Sequence, residues 1–223
     1  MSVVDIGSGN GLLSSKIIND LSKIYPQNNL NYTAIDNSEK LLKIFADNCK
    51  SKNDKIHIQP VLQDFFIDNR DAGKYDYAIA AHSMYRSDLI PSVRTIQTTL
   101  SDEGKAFIIR SHPDSLMNYF RDKYHTETDS LKSLHPTKTY MIPDLLKQAL
   151  EQEQINHKII EVPYQIKLPK NSVDLKNILS FIIDAPIERL HPKNLQALLS
   201  DVERLGKDGM LHCKNNIFMI AKR

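Results

Sequence analysis

Cysteine is scarce in this chain: of 223 residues only Cys49 and Cys213 carry a thiol. Two cysteines that far apart build neither a zinc knuckle nor a disulfide framework, and a reducing compartment is the default expectation. Charge of one sign is also lacking. Twenty-nine Lys and Arg against 27 Asp and Glu leave a net charge of +2. That is too little to draw nucleic acid by bulk electrostatics, and the lysines are interleaved with acids. No apolar run approaches the roughly 20 residues that span a bilayer. No secretory signal is expected, since the first strand-like run begins next to Met1. Internal repeats and low-complexity segments are absent. The expectation is a soluble, intracellular and cytoplasmic protein with no membrane segment and no clear nucleic-acid partner.

The composition is that of an ordinary globular chain, 41% hydrophobic and 25% charged, which excludes disorder as its ground state. Chains of this length bury roughly 70% of their unfolded surface. A single domain over residues 1–223, carrying an insertion, is expected.

Strand-like and helix-like patterns alternate along the first half. Ser2–Ile6 reads as a buried strand and Leu12–Ile24 as a helix. Asn31–Asp36 is a second strand, after which Asn37-Ser38-Glu39 supplies capping residues for a helix over Glu39–Lys50. Lys55–Gln59, Tyr75–Ala81 and Lys105–Arg110 read as strands, the last after a turn at Ser101-Asp102-Glu103-Gly104. Ser87–Leu100 and Pro113–Tyr124 read as helices, and His125–Lys138 as irregular. Pro143–Gln154 is a helix and Lys158–Ile166 a strand. Ser172–Ile183 and Pro192–Leu205 both have helical spacing, and Asn216–Ala221 closes the chain as a strand. The pattern predicts an α/β fold, Rossmann-like and doubly wound. It has a mostly parallel seven-stranded sheet, helices on both faces and a helical insertion, about 172–206, before the last strand. That insertion is either a pair of packing helices or a substrate lid.

Three alternating glycines, Gly7-Ser8-Gly9-Asn10-Gly11, stand between the first strand and the first helix. Glycine permits the tight turn and removes the Cβ that would strike a ligand. In open parallel sheets ligands bind beyond the carboxyl ends of the strands. The spacing is G-x-G-x-G; a dinucleotide fingerprint would put its third glycine where Leu12 stands. No P-loop Gly-Lys-Ser/Thr is present. Asp36 ends the second strand, where a carboxylate can accept both hydroxyls of one ribose. A strand-end aspartate can also cap the next helix through Asn37 or Ser38.

These residues resemble the class I S-adenosylmethionine-dependent methyltransferases. Val3–Gly11 resembles their first motif and Asp36 their ribose-binding acid. Gln63-Asp64-Phe65 resembles their third motif, where an acid meets the adenine. Tyr75–Tyr85 resembles the fourth strand and its loop, and Leu100–Ile109 the turn into the fifth strand. The resemblance spans roughly residues 1–111, the cofactor-binding half, and leaves 112–223 as a substrate-side half. It implies that Asp5, Gly7, Ser8, Gly9, Gly11, Asp36, Asn37, Asp64, Phe65, Ala81 and His82 hold S-adenosyl-L-methionine, with S-adenosyl-L-homocysteine as product. Members usually carry helices before the first strand that close over the cofactor. Here Met1 practically begins that strand. Either the start is truncated or the cap is lacking, and weak binding is expected unless another segment or a subunit of an oligomer covers the site.

A further resemblance, carried by His82–Tyr85, Tyr140–Leu146 and Asn215–Phe218, is to the histamine N-methyltransferase-like small-molecule group. It implies that His82, Tyr85 and Asn215 line an acceptor pocket. The acid that group uses from its N-terminal region has no counterpart here, so an amine is one candidate acceptor among small molecules. Tyr85 and Tyr119 are aromatics able to box a substrate or meet a cation; the alternative is packing.

Methyl transfer from a sulfonium is an in-line displacement whose reactivity belongs to the cofactor. The protein must place the nucleophile. An amine must attack unprotonated, and His82 is the candidate base; the alternative is that it packs beside the adenine. His112, His135, His191 and His212 have no metal-ligand spacing, so no metal is expected. His112, after the fifth strand, either faces the pocket or is an exposed loop residue, and the exposed loop is the favoured expectation. Ala81-His82-Ser83-Met84 stands where amide- and adenine-methylating enzymes carry Asn/Asp-Pro-Pro-aromatic, which disfavours those substrates. A small-molecule methyl acceptor is the leading expectation. The alternatives are a protein or RNA methyltransferase, and a non-catalytic fold that binds cofactor or a partner.

Overall fold

The computed structural model describes residues 1–51, 53–67, 74–84, 88–124, 144–183 and 185–222. Seven strands are formed: β1 (Ser2–Ile6), β2 (Leu30–Asp36), β3 (Ile56–Leu62), β4 (Tyr75–Ala81), β5 (Leu100–Ser111), β6 (His157–Lys167) and β7 (Met210–Ala221). The helices are α1 (Leu12–Ile24), α2 (Glu39–Asn48), α3 (Leu89–Thr99), α4 (Leu116–Tyr124), α5 (Asp144–Gln152), α6 (Ser172–Ile183) and α7 (Pro192–Leu205), with a 3₁₀ turn at Ile187–Arg189. No helix among the described residues is long and apolar enough to cross a membrane.

The sheet order is β3-β2-β1-β4-β5-β7-β6. From β3 to β5 every ladder is parallel, with Asp5 opposite Ala34 and Ile79, and Ala81 opposite Ile109. The strand order turns back on itself between β1 and β4, and beyond the carboxyl ends at such a switch point a crevice opens. The α/β, doubly wound architecture expected from the alternation of elements is therefore present, with α6 and α7 lying between β6 and β7 in the chain.

The chain divides into two compact units. The first comprises Met1–Ile109, Leu145–Ile160 and Ile217–Arg223; the second comprises Arg110–Asp144 and Glu161–Asn216. In the first unit, side-chain alternation sorts each strand onto two faces. Val4, Ile6, Ala78, Ala80, Ala106 and Ile108 join Val93, Ile96, Leu146 and Leu150 in one buried cluster, so that α3 and α5 cover this face. Val3, Tyr32, Ala34 and Ile79 join Ile18, Phe45 and Cys49 in another, so that α1 and α2 cover the opposite face. By parity Asp5 accompanies Val3 toward the α1 side, and that decides what it can touch. In the second unit Phe120, Leu179, Ile182, Ile183, Leu198 and Leu211 form a separate core.

Both edge strands carry a proline, Pro60 in β3 and Pro163 in β6. A proline offers no N–H to an incoming strand, and this blunts both edges against pairing with another chain.

Two element boundaries depart from expectation by five residues or more, the starts of β5 and β7. The turn expected at Ser101–Gly104 is drawn into β5, because Tyr75 pairs with Leu100 and Tyr77 already pairs with Lys105. The extra residues form a bulge, and Gly104 fits there since a Cβ would lie 2.7 Å from the Tyr75 carbonyl oxygen. β7 begins at Met210, six residues before the expected Asn216. Leu211 and Cys213 are buried with His212 exposed between them, a strand alternation that the polar run Lys214-Asn215-Asn216 masks in the sequence.

Candidate functional site at the carboxyl ends of β1 and β4

Backbone bonds set the glycine loop. The Gly7 and Ser8 amides both donate to the Ile35 carbonyl at the end of β2, at 2.8 and 3.1 Å. The Gly11 amide donates to Ser8 O at 3.2 Å and closes the turn. All three loop glycines have positive φ, +70° at Gly7, +58° at Gly9 and +79° at Gly11, a region L-residues enter only at a cost.

Their surroundings differ. A Cβ on Gly7 would stand 2.3 Å from Ser83 Cβ, so here the loop after β4 lies directly against the end of β1. A Cβ on Gly11 would strike Cys49 Sγ and Phe45 Cδ2, both at 2.8 Å, so this glycine lets α2 pack beneath the loop. At Gly9 no atom of a described residue lies within 4 Å of the added carbon. The middle of the loop therefore presents bare backbone to open space, which is the geometry a closely approaching ligand needs. Beside it, Ser8 Oγ is buried and makes no hydrogen bond among the described residues. An orphaned buried hydroxyl at a site is a polar atom in want of a partner.

Asp36 ends β2 and is only 8% exposed. Its Oδ2 accepts from the Gly9 amide at 2.9 Å and its Oδ1 from the Ser38 amide at 2.9 Å. Ser38 is the N-cap of α2, its hydroxyl accepting from Leu41 N at 3.4 Å. The two readings of Asp36 are thus not exclusive: one carboxylate orders the cap of α2 and points at the loop.

Asp5 is buried at 4% exposure. Its Oδ2 accepts from Ser14 Oγ at 2.5 Å and Tyr32 OH at 2.7 Å. Burial pushes its carboxyl above the usual range; the Ser14 and Tyr32 hydroxyls pull it back, and the Asp36 charge pushes it further up. The Tyr32 phenol is pushed up, first by burial and then by the Asp5 charge. The Cys49 thiol is pushed up to about 11, mainly by burial. That fits a packing residue, and not a nucleophile.

At the end of β4, Ala81 is half-buried and His82 exposed. His82 adopts φ +53°, rare outside glycine. Two neighbouring bonds hold it there: its amide donates to Ile109 O at 3.0 Å, and the Ser83 hydroxyl donates to Ile6 O. Local strain maintained in this way is a recurring mark of functional positions. The Gln63 amide donates to Asp36 O at 3.0 Å and brings the start of the loop after β3 to the same end of the sheet. Asp64 Oδ1 accepts from Phe66 N at 3.0 Å. Asn37 is exposed. Phe65 is 3% exposed, lies in the core cluster with Val4 and Ile6, and meets Phe66 edge-on.

The structure thus gathers Gly7, Ser8, Gly9, Gly11 and Asp36 in one place, with Asp5 beneath them, and sets Ala81 and His82 at the end of β4. Tyr85 lies outside the described residues, as do residues 125–138 and Tyr140–Pro143. Tyr119 and Asn215 belong to the second unit. The Tyr119 hydroxyl donates to Asp201 Oδ2 at 3.0 Å, and the same oxygen accepts from Tyr124 OH at 2.8 Å and Lys123 Nζ at 2.6 Å. Asn215 is half-buried on β7.

His112 is not the exposed loop residue expected. Its side chain is 16% exposed, with Nε2 3.1 Å from Glu161 Oε2, and Glu161 also holds Lys214 Nζ at 3.1 Å. The backbone explains the burial, since the His112 amide donates to Lys214 O at 3.0 Å on β7. No sequence pattern links residues 112, 161 and 214. Tyr32 carries no signal of its contact with Asp5 in the sequence, because a tyrosine inside a strand reads as packing. No group of three or more potential metal ligands forms among the described residues.

No protein-family model matches the chain. No curated protein matches it either. Solved structures do. The YcgJ protein of Bacillus subtilis superposes with a TM-score of 0.62 at 14% identity, over 100% of this chain and 92% of that one. The precorrin-6y C5,15-methyltransferase of Geobacter metallireducens superposes with a TM-score of 0.52 at 13% identity, over 100% and 80%. The plantazolicin methyltransferase BpumL, in complex with a triazolic desmethylPZN analog and SAH, gives 0.50 at 17% identity, over 100% and 77%. The fold is the class I methyltransferase fold.

Proposed function

On this fold, we propose that the chain is an S-adenosylmethionine-dependent methyltransferase acting on a small-molecule acceptor. One observation carries the reading. The Asp36 carboxylate is tied to the Gly9 amide, at the one loop glycine that faces open space. The orphaned Ser8 hydroxyl beside it fits the same cofactor. When bound, S-adenosylmethionine supplies a methyl carbon already activated by its sulfonium.

The residues divide the remaining work. Asp36 accepts the ribose hydroxyls in charge-assisted bonds, each contributing about 1.5–3 kcal/mol. Gly7, Gly9 and Gly11 let the backbone come close, and Ser8 gives its hydroxyl to the ligand. Asn37, Asp64 and Ala81 line the adenosine side. Asp5 and Phe65 act from below, by holding the loop and the floor. His82 stands at the acceptor side, where its imidazole can take the proton an amine or hydroxyl sheds. Tyr85, Tyr119 and Asn215 are each proposed as acceptor-binding residues, with a small amine as one candidate. The sulfonium is cationic, and the Asp36 carboxylate suits that charge.

A thermal shift with S-adenosylhomocysteine tests the cofactor. At a hundredfold excess over its Kd a ligand stabilises by about 2.7 kcal/mol, or roughly 5–10 °C for a domain of this size. The shift should vanish in Asp36→Ala. Labelled methyl transfer to panels of amines, peptides and RNA then tests the acceptor. Transfer to peptide or RNA but to no small molecule would overturn the acceptor class. The absence of any shift would overturn the cofactor.

A further inference from the structure

The glycine loop is closed by a bond that skips over it. Asp5 stands on β1 before Gly7, and Ser14 stands in the first turn of α1 after Gly11. The Ser14 hydroxyl donates to Asp5 Oδ2 at 2.5 Å, so the two ends of the loop are clasped together. Tyr32, from the neighbouring strand β2, donates its hydroxyl to the same oxygen at 2.7 Å. All three residues are interior: Tyr32 and Ser14 are 1% exposed and Asp5 is 4% exposed.

A buried carboxylate ordinarily pairs with a cation. Among the described residues no lysine, arginine or histidine is paired with Asp5. The charge that bears on it is Asp36, of the same sign, and the other titratable group facing it is the Cys49 thiol at the end of α2, itself pushed up by burial and by Asp5. Two neutral hydroxyls converging on one oxygen therefore oppose the burial that pushes this carboxyl up, and they favour the ionised, charge-assisted form of the clasp. Tyr32 reaches Asp5 because both project from the α1 side of adjacent parallel strands.

We infer that Tyr32 is a positioning residue for the cofactor: through Asp5 it fixes the clasp that sets the two ends of the loop Gly7–Gly11. This rests on the methyltransferase reading of the loop. The consequence is a coupling between cofactor affinity and the proton on Asp5. Loss of the Tyr32 hydroxyl removes a donor that favours the ionised form. Asp5 then takes up a proton at a higher pH than in the parent chain. A neutral Asp5 holds Ser14 less tightly, and the loop ends loosen.

Calorimetric titration with S-adenosylhomocysteine from pH 5 to pH 9 tests this on the full chain, with melting temperatures alongside. Tyr32→Phe keeps the ring in its apolar surroundings and deletes only the hydroxyl. Its affinity should fall about tenfold or more. The pH at which affinity is half lost should also move upward. Ser14→Ala should move that midpoint in the same direction, and it carries the test if Tyr32→Phe does not fold. Adding Asp5→Asn to Tyr32→Phe should flatten the pH dependence. Equal weakening at every pH, with an unmoved midpoint in both single variants, would show a packing role only and overturn the inference. If the parent chain does not bind S-adenosylhomocysteine at all, the proposed function fails first, a different result from parent binding with an unmoved midpoint.

Discussion

Asp36 Oδ2 lies 2.9 Å from the Gly9 nitrogen, across 27 residues of chain. The end of β2 and the middle of the loop after β1 are thereby joined by a charge-assisted bond. The other carboxylate oxygen is held by the Ser38 amide at 2.9 Å. Such a carboxylate is fixed before any ligand arrives, so binding need not pay to order it. It has about four lone-pair sites, and the two amides do not exhaust them.

The first prediction concerns this bond. Asp36→Asn conserves size but removes the charge and half of the acceptor capacity. S-adenosylhomocysteine affinity should drop at least about tenfold, the equivalent of one charge-assisted bond. Isothermal titration of parent and variant measures it, and an unchanged Kd would detach Asp36 from the site.

The loop glycines should not be equivalent. Gly9→Ala meets no atom of a described residue within 4 Å, so its cost is the backbone term alone, about 1–2 kcal/mol. Gly7→Ala carries the same term and also drives its Cβ to 2.3 Å from Ser83 Cβ. A loss above about 3 kcal/mol is expected there. Urea unfolding of the two variants gives the order directly. In cofactor binding the order should reverse among variants that fold, since a larger side chain at position 9 fills the open face.

His82 holds φ +53°, which a β-branched side chain cannot share cheaply. His82→Val should destabilise by more than about 1 kcal/mol. His82→Asn should stay within about 0.5 kcal/mol, because asparagine tolerates this region, and His82→Gly should be no worse. Thermal unfolding at one pH separates them. Equal melting temperatures for the valine and asparagine variants would mean that the conformation is not strained.

Acid should weaken the second unit through Asp201. This residue is 7% exposed and accepts from Lys123, Tyr119, Tyr124 and Arg204. The Lys123 ammonium holds its carboxyl well below the usual range, with further lowering by Arg204 and the two tyrosines. The folded pKa is lower than the unfolded one, so the stabilisation is complete above the unfolded value. It is lost as pH falls below about 4 toward the folded pKa. Asp201→Asn should therefore lower the melting temperature at pH 7, and the gap to the parent should narrow through that acid range. A constant gap from pH 7 to pH 2 would contradict the assignment.

Much of this molecule is legible in its sequence for physical reasons. Alternation of apolar runs fixes the strands and helices: α1, α6 and α7 lie where the spacing put them, Leu12–Ile24, Ser172–Ile183 and Pro192–Leu205. Glycines in tandem after a strand, then an acid after the next, mark a turn that must approach something closely. Such signals are local, and one chain segment carries each of them.

What the tertiary structure alone decided is long-range. Which of three similar glycines faces open space depends on where Ser83, Phe45 and Cys49 pack. Whether Asp36 caps or points at the loop depends on Gly9, and the answer is both. Tyr32 meets Asp5 only because β1 and β2 pair in one register with matching parity. His112 is half-buried against residues 161 and 214, not by its neighbours in sequence. Composition and periodicity set each element and the face it buries; distances between side chains far apart in the chain exist only once those elements are packed.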